Sequence, residues 1–138
     1  MNIHLNDTEP IFGQIMNHIK AEIGTGALHM GDKLPSIREL SKTLQVNPNT
    51  VGRAYQELER EGITVTKRGL GVFINEAPDQ LAGLRDAMAK KYIETFVHSM
   101  KTLGFSLEEM INALQNPALM RISAVDDEAY LAHIRKEL

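Results

Sequence analysis

The side chains of this chain best suited to contacting another molecule form one polar face of a predicted helix. They are the residue types that read nucleic-acid bases: Asn and Gln can pair bidentately with adenine, Arg with guanine, and Thr can contact a phosphate or a base edge. At helical spacing the outward-facing residues are Asn49, Thr50, Arg53, Gln56 and Arg60. A solvated helix face with an (i, i+4) ion pair between Arg53 and Glu57 is the simpler alternative.

Two short helices that would position this face carry clear start signals. Ser36 followed by Glu39 predicts a capping box, in which the serine oxygen accepts from a backbone N–H and the glutamate reaches back to the Ser36 amide. Asn47 followed by Pro48 predicts an N-cap and a first helical residue. The join between the helices is therefore only residues 45–47, which is typical of a helix-turn-helix.

The inward faces follow from apolar spacing of three and four residues. Gly62 is a natural stop for the second helix. An earlier helix opens at Pro10, and Gly24 and Gly26 end it. The predicted inward residues are Phe12, Ile15, Ile19 and Ile23 in the earlier helix, then Ile37, Leu40 and Leu44, then Val51, Ala54, Tyr55 and Leu58.

A small hairpin with a basic tip is predicted directly after the second helix. Residues 63–66 alternate as a strand, residues 67–71 read KRGLG and form the turn, and residues 72–74 form the returning strand. A helix-turn-helix followed by such a hairpin is a winged helix, whose wing places cations beside a phosphate backbone.

The run from Pro35 to Ile74 resembles the DNA-binding domain of the GntR family of bacterial transcription regulators. Residues 10–15 resemble that family's first helix, and residues 31–36 its link to the second. The resemblance implies a transcription regulator that binds double-stranded DNA and uses no cofactor. The DNA contacts that it and the basic turn imply are Ser36, Arg38, Asn47, Asn49, Thr50, Arg53, Lys67, Arg68 and Gly69.

Two residues depart from the arginine-rich version of this motif. Pro48 and Gly52 stand where many relatives place polar or basic residues, so base reading is expected to depend on Asn47, Asn49 and Arg53. The amino-acid sequence of this run resembles the YtrA-type subgroup, whose members have a short helical tail and are often repressors. The operator and any effector are not implied by the resemblance.

After Ile74 the chain becomes polar and aperiodic, which places a boundary between a DNA-binding domain at 1–76 and a helical region at 77–138. One long helix is predicted over 80–103, and a second begins with a capping box at Ser106 and Glu109 and ends at Pro117. A short third helix is predicted at about 127–136. The fold class is therefore mainly α with a small β-hairpin.

The apolar stripe of this tail is expected to hold a homodimer. Units this short usually need a partner to bury their apolar faces, and a symmetric dimer suits a palindromic operator. Packing of the stripe onto its own winged helix is the alternative. The candidate dimerisation residues are Leu84, Met88, Tyr92, Phe96, Met100, Leu103, Met110 and Leu114.

Composition fits a small cytoplasmic DNA-binding protein. The 138 residues contain no Cys, which excludes a disulfide framework and thiolate metal sites. No apolar run approaches the ~18 residues that a membrane span requires. The net charge of −3 is uneven: residues 1–75 carry eight basic and eight acidic residues, whereas residues 76–138 carry seven and ten. A locally positive face on an acidic protein is therefore expected.

Enzymatic functions are disfavoured. The five His residues are scattered without metal-ligand spacing, so neither a metal site nor catalytic residues are predicted. The glycines at 69 and 71 lie between strands, whereas a phosphate-binding loop opens onto a helix. The competing class is a winged helix used as a protein-interaction or scaffold module.

Overall fold

The structure, a computed structural model, describes residues 1–116. It confirms a mainly helical fold with one small hairpin. The elements in chain order are α1 Ile11–Thr25, α2 Ile37–Leu44, α3 Pro48–Arg60, β1 Thr64–Lys67, β2 Gly71–Ile74, α4 Pro78–Leu81, α5 Leu84–Thr102 and α6 Leu107–Gln115. The short helix predicted near 127–136, and the stop at Pro117, lie outside the described residues.

The centre of the first part of the chain is α3, which packs against α1, α2 and β1. Its buried face is the predicted one, and the apolar side chains of α1 and the hairpin complete the core. Each fully buried aliphatic side chain stabilises the fold by about 1.5–3 kcal/mol. The core residues are Ile15, Ile19, Leu34, Leu40, Val51, Ala54, Tyr55, Leu58, Ile63 and Ile74.

The position of the turn between α2 and α3 agrees with the prediction, but its backbone conformation was not predicted. Asn47 caps α3, with Pro48 as its first residue, as the sequence indicates. Gln45, however, ends α2 in the left-handed region with φ 56°, where glycine is the usual residue. Its backbone N–H donates to the Ser41 carbonyl, which keeps the turn compact.

Two predictions about α2 are wrong in part. The Ser36 hydroxyl accepts from the Glu39 N–H at 3.0 Å, but no reciprocal bond from the Glu39 side chain is found among the described residues. The apolar spacing predicts that Ile37 is buried together with Leu40, yet Ile37 is 39% exposed while Leu40 is buried. Ile37 occupies the first turn of α2, beyond the edge of the core.

The hairpin pairs antiparallel, with Thr64 opposite Ile74 and Lys67 opposite Gly71. Lys67 therefore belongs to β1, and the turn is shorter than predicted. Residues 31–34 lie along the other edge of β2, where the Leu34 N–H donates to the Val72 carbonyl at 2.9 Å. The wing is thereby anchored to the link before α2.

An N-terminal segment adds apolar contacts that were not predicted. Met1, Ile3 and Leu5 are half-buried and pack against the core. Their alternation with polar residues is the period of an extended chain, which was the available signal.

The long helix predicted over 80–103 is interrupted. Ala82 is extended and Gly83 has φ +76°, so α4 ends before α5 begins. Leu81 and Leu84 pack against the core of the first part. By packing, one compact unit spans Met1–Met88 and a second begins at Ala89. The functional boundary after residue 76 stays a prediction.

The second unit contains most of α5 and all of α6. Ser106 and Glu109 form the predicted capping box in both directions, at 3.0 and 3.1 Å. The Ser106 backbone N–H donates to the Glu109 carboxylate, and this hydrogen bond lowers the pKa of Glu109. Met100 and Met110 are buried.

Candidate nucleic-acid interface

The first turn of α3 uses one of the predicted base-reading side chains for its own stability. The Asn47 side-chain oxygen accepts from the Asn49 N–H at 2.8 Å. The oxygen already accepts one hydrogen bond while the amide N–H groups are free, so bidentate pairing of Asn47 with adenine would have to share that oxygen with the cap. Asn49 is exposed, and its side chain makes no hydrogen bond within residues 1–116.

Arg53 is held by an aromatic ring of α1. Its guanidinium lies 3.9 Å from the centre of the Phe12 ring, within the range of a cation–π contact. Arg53 is nevertheless exposed, and Phe12 is half-buried rather than part of the deep core. The stack limits where the guanidinium can point without occupying its N–H groups.

The start of α2 supplies a second cation beside α3. Arg38 is exposed in the first turn, immediately after Ile37. The Ser36 hydroxyl is used as the helix cap, so its oxygen is not free to accept a second strong contact without weakening that cap.

The wing tip is a tight turn over residues 67–70. The Leu70 N–H donates to the Lys67 carbonyl at 2.9 Å, and Gly69 has φ +77° while Arg68 has a negative φ. This is a type II turn, which requires a positive φ at the position that Gly69 occupies. Arg68 is exposed at the tip, and the Lys67 ammonium lies 4.7 Å from the centre of the Phe73 ring.

A hydrogen bond that the sequence does not predict joins β1 of the wing to α3. The Glu59 carboxylate accepts from the Thr66 N–H at 3.0 Å. A second unpredicted bond runs from the Tyr55 hydroxyl to the Pro35 carbonyl at 2.6 Å and ties α3 to the link before α2. Burial, and secondarily the charge of Glu39, raise the pKa of Tyr55 above its ordinary value. Neither pairing has a local sequence signal, because the partners lie in different elements that meet only in the folded chain.

An open cleft brings several of these elements together. Its wall is formed by the start of α2, the polar face of α3 and the two strands of the hairpin. Of the predicted contacts it contains Asn49 and Arg53; Lys67, Arg68 and Gly69 are not in its lining. The cleft is lined by Ile37, Pro48, Asn49, Gly52, Arg53, Tyr55, Gln56, Glu57, Glu59, Thr66 and Val72.

The charges of this surface divide into paired and unpaired groups. Arg60 pairs with Glu57, and the hydrogen bond between them raises the pKa of Arg60. Lys20 pairs with Glu61 at 3.0 Å. Within the described part of the chain, the cations that form no salt bridge include Arg38, Lys42, Arg53, Lys67 and Arg68. These five remain available to an anionic partner.

Residues 1–116 contain no group of three or more His, Asp or Glu side chains placed to hold a metal ion. No helix in that range is long and apolar enough to cross a membrane.

The fold and the cleft define a winged helix-turn-helix protein of the transcription-regulator class. The family model of the bacterial regulatory proteins of the gntR family matches residues 12–74. The chain is 40% identical to the HTH-type transcriptional regulator YhcF of Bacillus subtilis over 115 residues, which are 83% of this chain and 95% of that protein. It is 39% identical to the HTH-type transcriptional repressor YtrA of the same organism, over 80% of this chain and 85% of YtrA.

A solved structure agrees with these relatives. A GntR family transcriptional regulator from Listeria monocytogenes superposes with a TM-score of 0.69 at 42% identity, over 78% of this chain and 95% of that one. This chain therefore belongs to the GntR family of bacterial transcription regulators, and YtrA is among its relatives, as the resemblance implied.

Proposed function

We propose that this regulator is a homodimeric repressor that binds a palindromic operator and acts in the cytoplasm, where the chromosome lies. The observation that carries the DNA-binding part is the set of unpaired cations around the polar face of α3. Arg38, Arg53, Lys67 and Arg68 have no carboxylate partner among the described residues, although the chain as a whole is acidic. Repression is proposed from the similarity to YtrA, which is a repressor.

In this proposal α3 enters the major groove and the wing follows the phosphate backbone. Asn49 and Arg53 contact base edges, and Thr50 contacts a base or phosphate. Asn47 contributes mainly its N–H donors, because its oxygen already accepts the capping hydrogen bond. Arg38, Lys67 and Arg68 neutralise phosphates, with Gly69 allowing the wing tip to approach closely.

The dimer is proposed to form through apolar side chains of the helical tail. Of the candidate residues, Tyr92, Leu103 and Leu114 are 55%, 72% and 55% exposed. Met100 and Met110 are buried within the chain, so they support the exposed face from behind. Leu84, Met88 and Phe96 are half-buried. A two-fold dimer would present two copies of α3 to half-sites about 10 base pairs apart.

Binding to random duplex DNA across a range of salt concentrations tests the DNA-binding part. Three phosphate-facing cations in each protomer predict that the logarithm of the binding constant falls with the logarithm of salt concentration with a slope of about −5 for the dimer. Binding that is absent at low salt, or insensitive to added salt, would favour the protein-interaction or scaffold function instead.

Selection of bound sites from a random DNA pool tests the palindrome. Two inverted half-sites are expected, and a single asymmetric site would contradict the proposed dimeric binding mode. Repression itself is tested by placing the selected site in a promoter and comparing reporter expression with and without the protein.

A further inference from the structure

An apolar recess lies in the middle of the polar face of α3. Its floor is Ile37, which is 39% exposed although its sequence spacing suggested a buried position. The Ile37 Cδ1 atom lies 3.7 Å from the point that a Cβ on Gly52 would occupy. Pro48 lines the same cleft. Three apolar residues therefore share a cleft whose other lining residues include Asn49, Arg53, Gln56, Thr66 and the carboxylates of Glu57 and Glu59.

The depth of the recess depends on the missing side chain at Gly52. This glycine lies inside α3, where glycine stabilises a helix less than alanine does. Packing does not demand it, because an added Cβ would meet only an ordinary van der Waals contact. Backbone conformation does not demand it either, because its φ is that of the helix. The absence of a side chain leaves space open on the surface that faces a partner.

The surroundings of the recess indicate what could enter it. Asn49 and Arg53 line the same cleft together with two carboxylates: Glu57 pairs with Arg60, and Glu59 accepts from the Thr66 N–H. No described residue forms a salt bridge with Arg53 or nearby Arg38. Their charge is complementary to a polyanion, and α3 has the dimensions that the major groove admits. Along the major-groove edges of the four bases, the apolar group is the C5-methyl of thymine.

We propose that Ile37, Pro48 and Gly52 form a recess for the C5-methyl group of one thymine in each half-site. Ile37 and Gly52 are then specificity-determining residues that favour thymine without a hydrogen bond. The inference rests on the proposed binding of duplex DNA, and names one base that the recognition surface selects.

Deoxyuridine scanning isolates the methyl group. A duplex selected by the wild-type protein is resynthesised with each thymine replaced, one at a time, by deoxyuridine, which keeps every hydrogen-bonding group and lacks only the methyl. At one thymine of each half-site the dissociation constant should rise about fourfold, the value for exposing one buried methyl-sized group.

Two variants assign the effect to the recess. Ile37→Ala removes its floor, and Gly52→Ser places a hydroxyl inside it; in both, the ratio of the dissociation constants for the deoxyuridine and thymine duplexes should fall towards one. Met30→Ala, at an aliphatic residue 48% exposed outside the cleft, and Gly13→Ser, at a helical glycine with open space, are matched controls that should keep the ratio. Circular dichroism confirms that all four variants are folded.

The possible outcomes separate the inference from the function on which it rests. A deoxyuridine penalty that persists in both Ile37→Ala and Gly52→Ser overturns the recess, as does a selected site in which no thymine methyl affects binding. In both cases binding of duplex DNA stands. A wild-type protein that selects no duplex refutes the proposed function and this inference together.

Discussion

Arg53, Asn47 and Lys67 each contact a neighbouring group of the same chain. The Arg53 guanidinium stacks on Phe12, the Lys67 ammonium lies over the Phe73 ring, and the Asn47 oxygen caps α3. Such contacts lower the entropy lost when a side chain is immobilised on binding. At the scale of residues, the candidate interface is therefore partly organised in the free protein.

Replacing Arg53 by alanine should weaken operator binding by about 1–3 kcal/mol, because a base or phosphate contact is lost. The free energy of unfolding should fall by only about 0.5–1 kcal/mol, the value of an exposed cation–π contact. Titration of a fluorescent operator duplex and urea unfolding measure the two effects. Arg60→Ala, on the same helix but paired with Glu57, is the control.

A different result would reassign Arg53. Arg53→Ala could instead lower the free energy of unfolding by the 2–5 kcal/mol typical of a truncated core leucine. The main role of the contact between Arg53 and Phe12 would then be to stabilise the fold. If Arg60→Ala weakens binding equally, the interface extends along the whole of α3.

Replacing Tyr55 by phenylalanine should lower the free energy of unfolding by about 1 kcal/mol at neutral pH, because the Pro35 carbonyl loses its donor. It should also change the response to alkali. The folded state raises the pKa of Tyr55, so the stability it contributes is intact below the unfolded pKa of about 10 and is lost as pH rises above it.

Urea unfolding at neutral and alkaline pH checks both effects. Tyr55→Phe should lose less stability than the wild type between the two conditions. Tyr92→Phe, at an exposed tyrosine, should behave like the wild type. Equal alkaline losses in wild type and Tyr55→Phe would show that other groups control the transition.

At the scale of elements, β1 contains a buried hydroxyl group that lowers the free energy of unfolding and that a substitution can remove. The Thr64 hydroxyl is buried, and no described residue hydrogen-bonds to it. Thr64→Val keeps the shape and removes the unsatisfied oxygen, so the free energy of unfolding should rise by about 1 kcal/mol. Thr66→Val, at an exposed position of the same strand, is the control and should change it little. A destabilised Thr64→Val variant would mean that the hydroxyl has a partner in solution.

The interior of α3 offers a second stabilising change. Gly52→Ala should raise the free energy of unfolding by up to about 1 kcal/mol through helix propensity, because the added Cβ meets no close contact. Gly13→Ala tests the same effect in α1, where nothing lies within 4 Å of the added atom. Thermal unfolding compares them, and a lower melting temperature for Gly52→Ala alone would reveal a clash at Ile37.

Local signals predicted the elements better than the contacts between them. The Asn47 cap, the capping box at Ser106 and the alternation in the hairpin each act within a few residues, so the sequence was sufficient. The break at Gly83 was missed because the apolar period continues across it, and an isolated glycine is tolerated in a helical pattern.

The sequence predicted which residue types form the candidate site, but it predicted less well which groups those residues contact. Arg38 and Arg68 are exposed as expected. The stacking of Arg53 on Phe12 and the hydrogen bond between Glu59 and Thr66, however, join residues of different elements, which meet only in the folded chain. Periodicity likewise assigned Ile37 to the core. A side chain in the first turn of a short helix can continue the stripe while lying beyond the neighbouring elements that would cover it.

At the scale of the whole molecule, self-association remains the proposal with the clearest test. Leu103→Asp combined with Tyr92→Asp places two charges on the exposed apolar side chains of the tail, which should weaken a dimer formed there. Sedimentation at several protein concentrations should show a dimer for the wild type and a monomer for the variant.

Two further measurements complete that test. Lys90→Gln with Lys101→Gln, at exposed polar positions of α5, lowers the net charge by the same two units and should remain dimeric. A wild type that stays monomeric at all concentrations would favour packing of the stripe within its own chain.

Gly52 has a consequence for how such a regulator could diverge after gene duplication. A side chain can be added there without disturbing the core, and a single base change in a glycine codon already reaches alanine, serine, aspartate or arginine. One copy could therefore acquire a different preference for promoters while it still folds. Paralogues that control separate genes could then arise in one mutational step at this position.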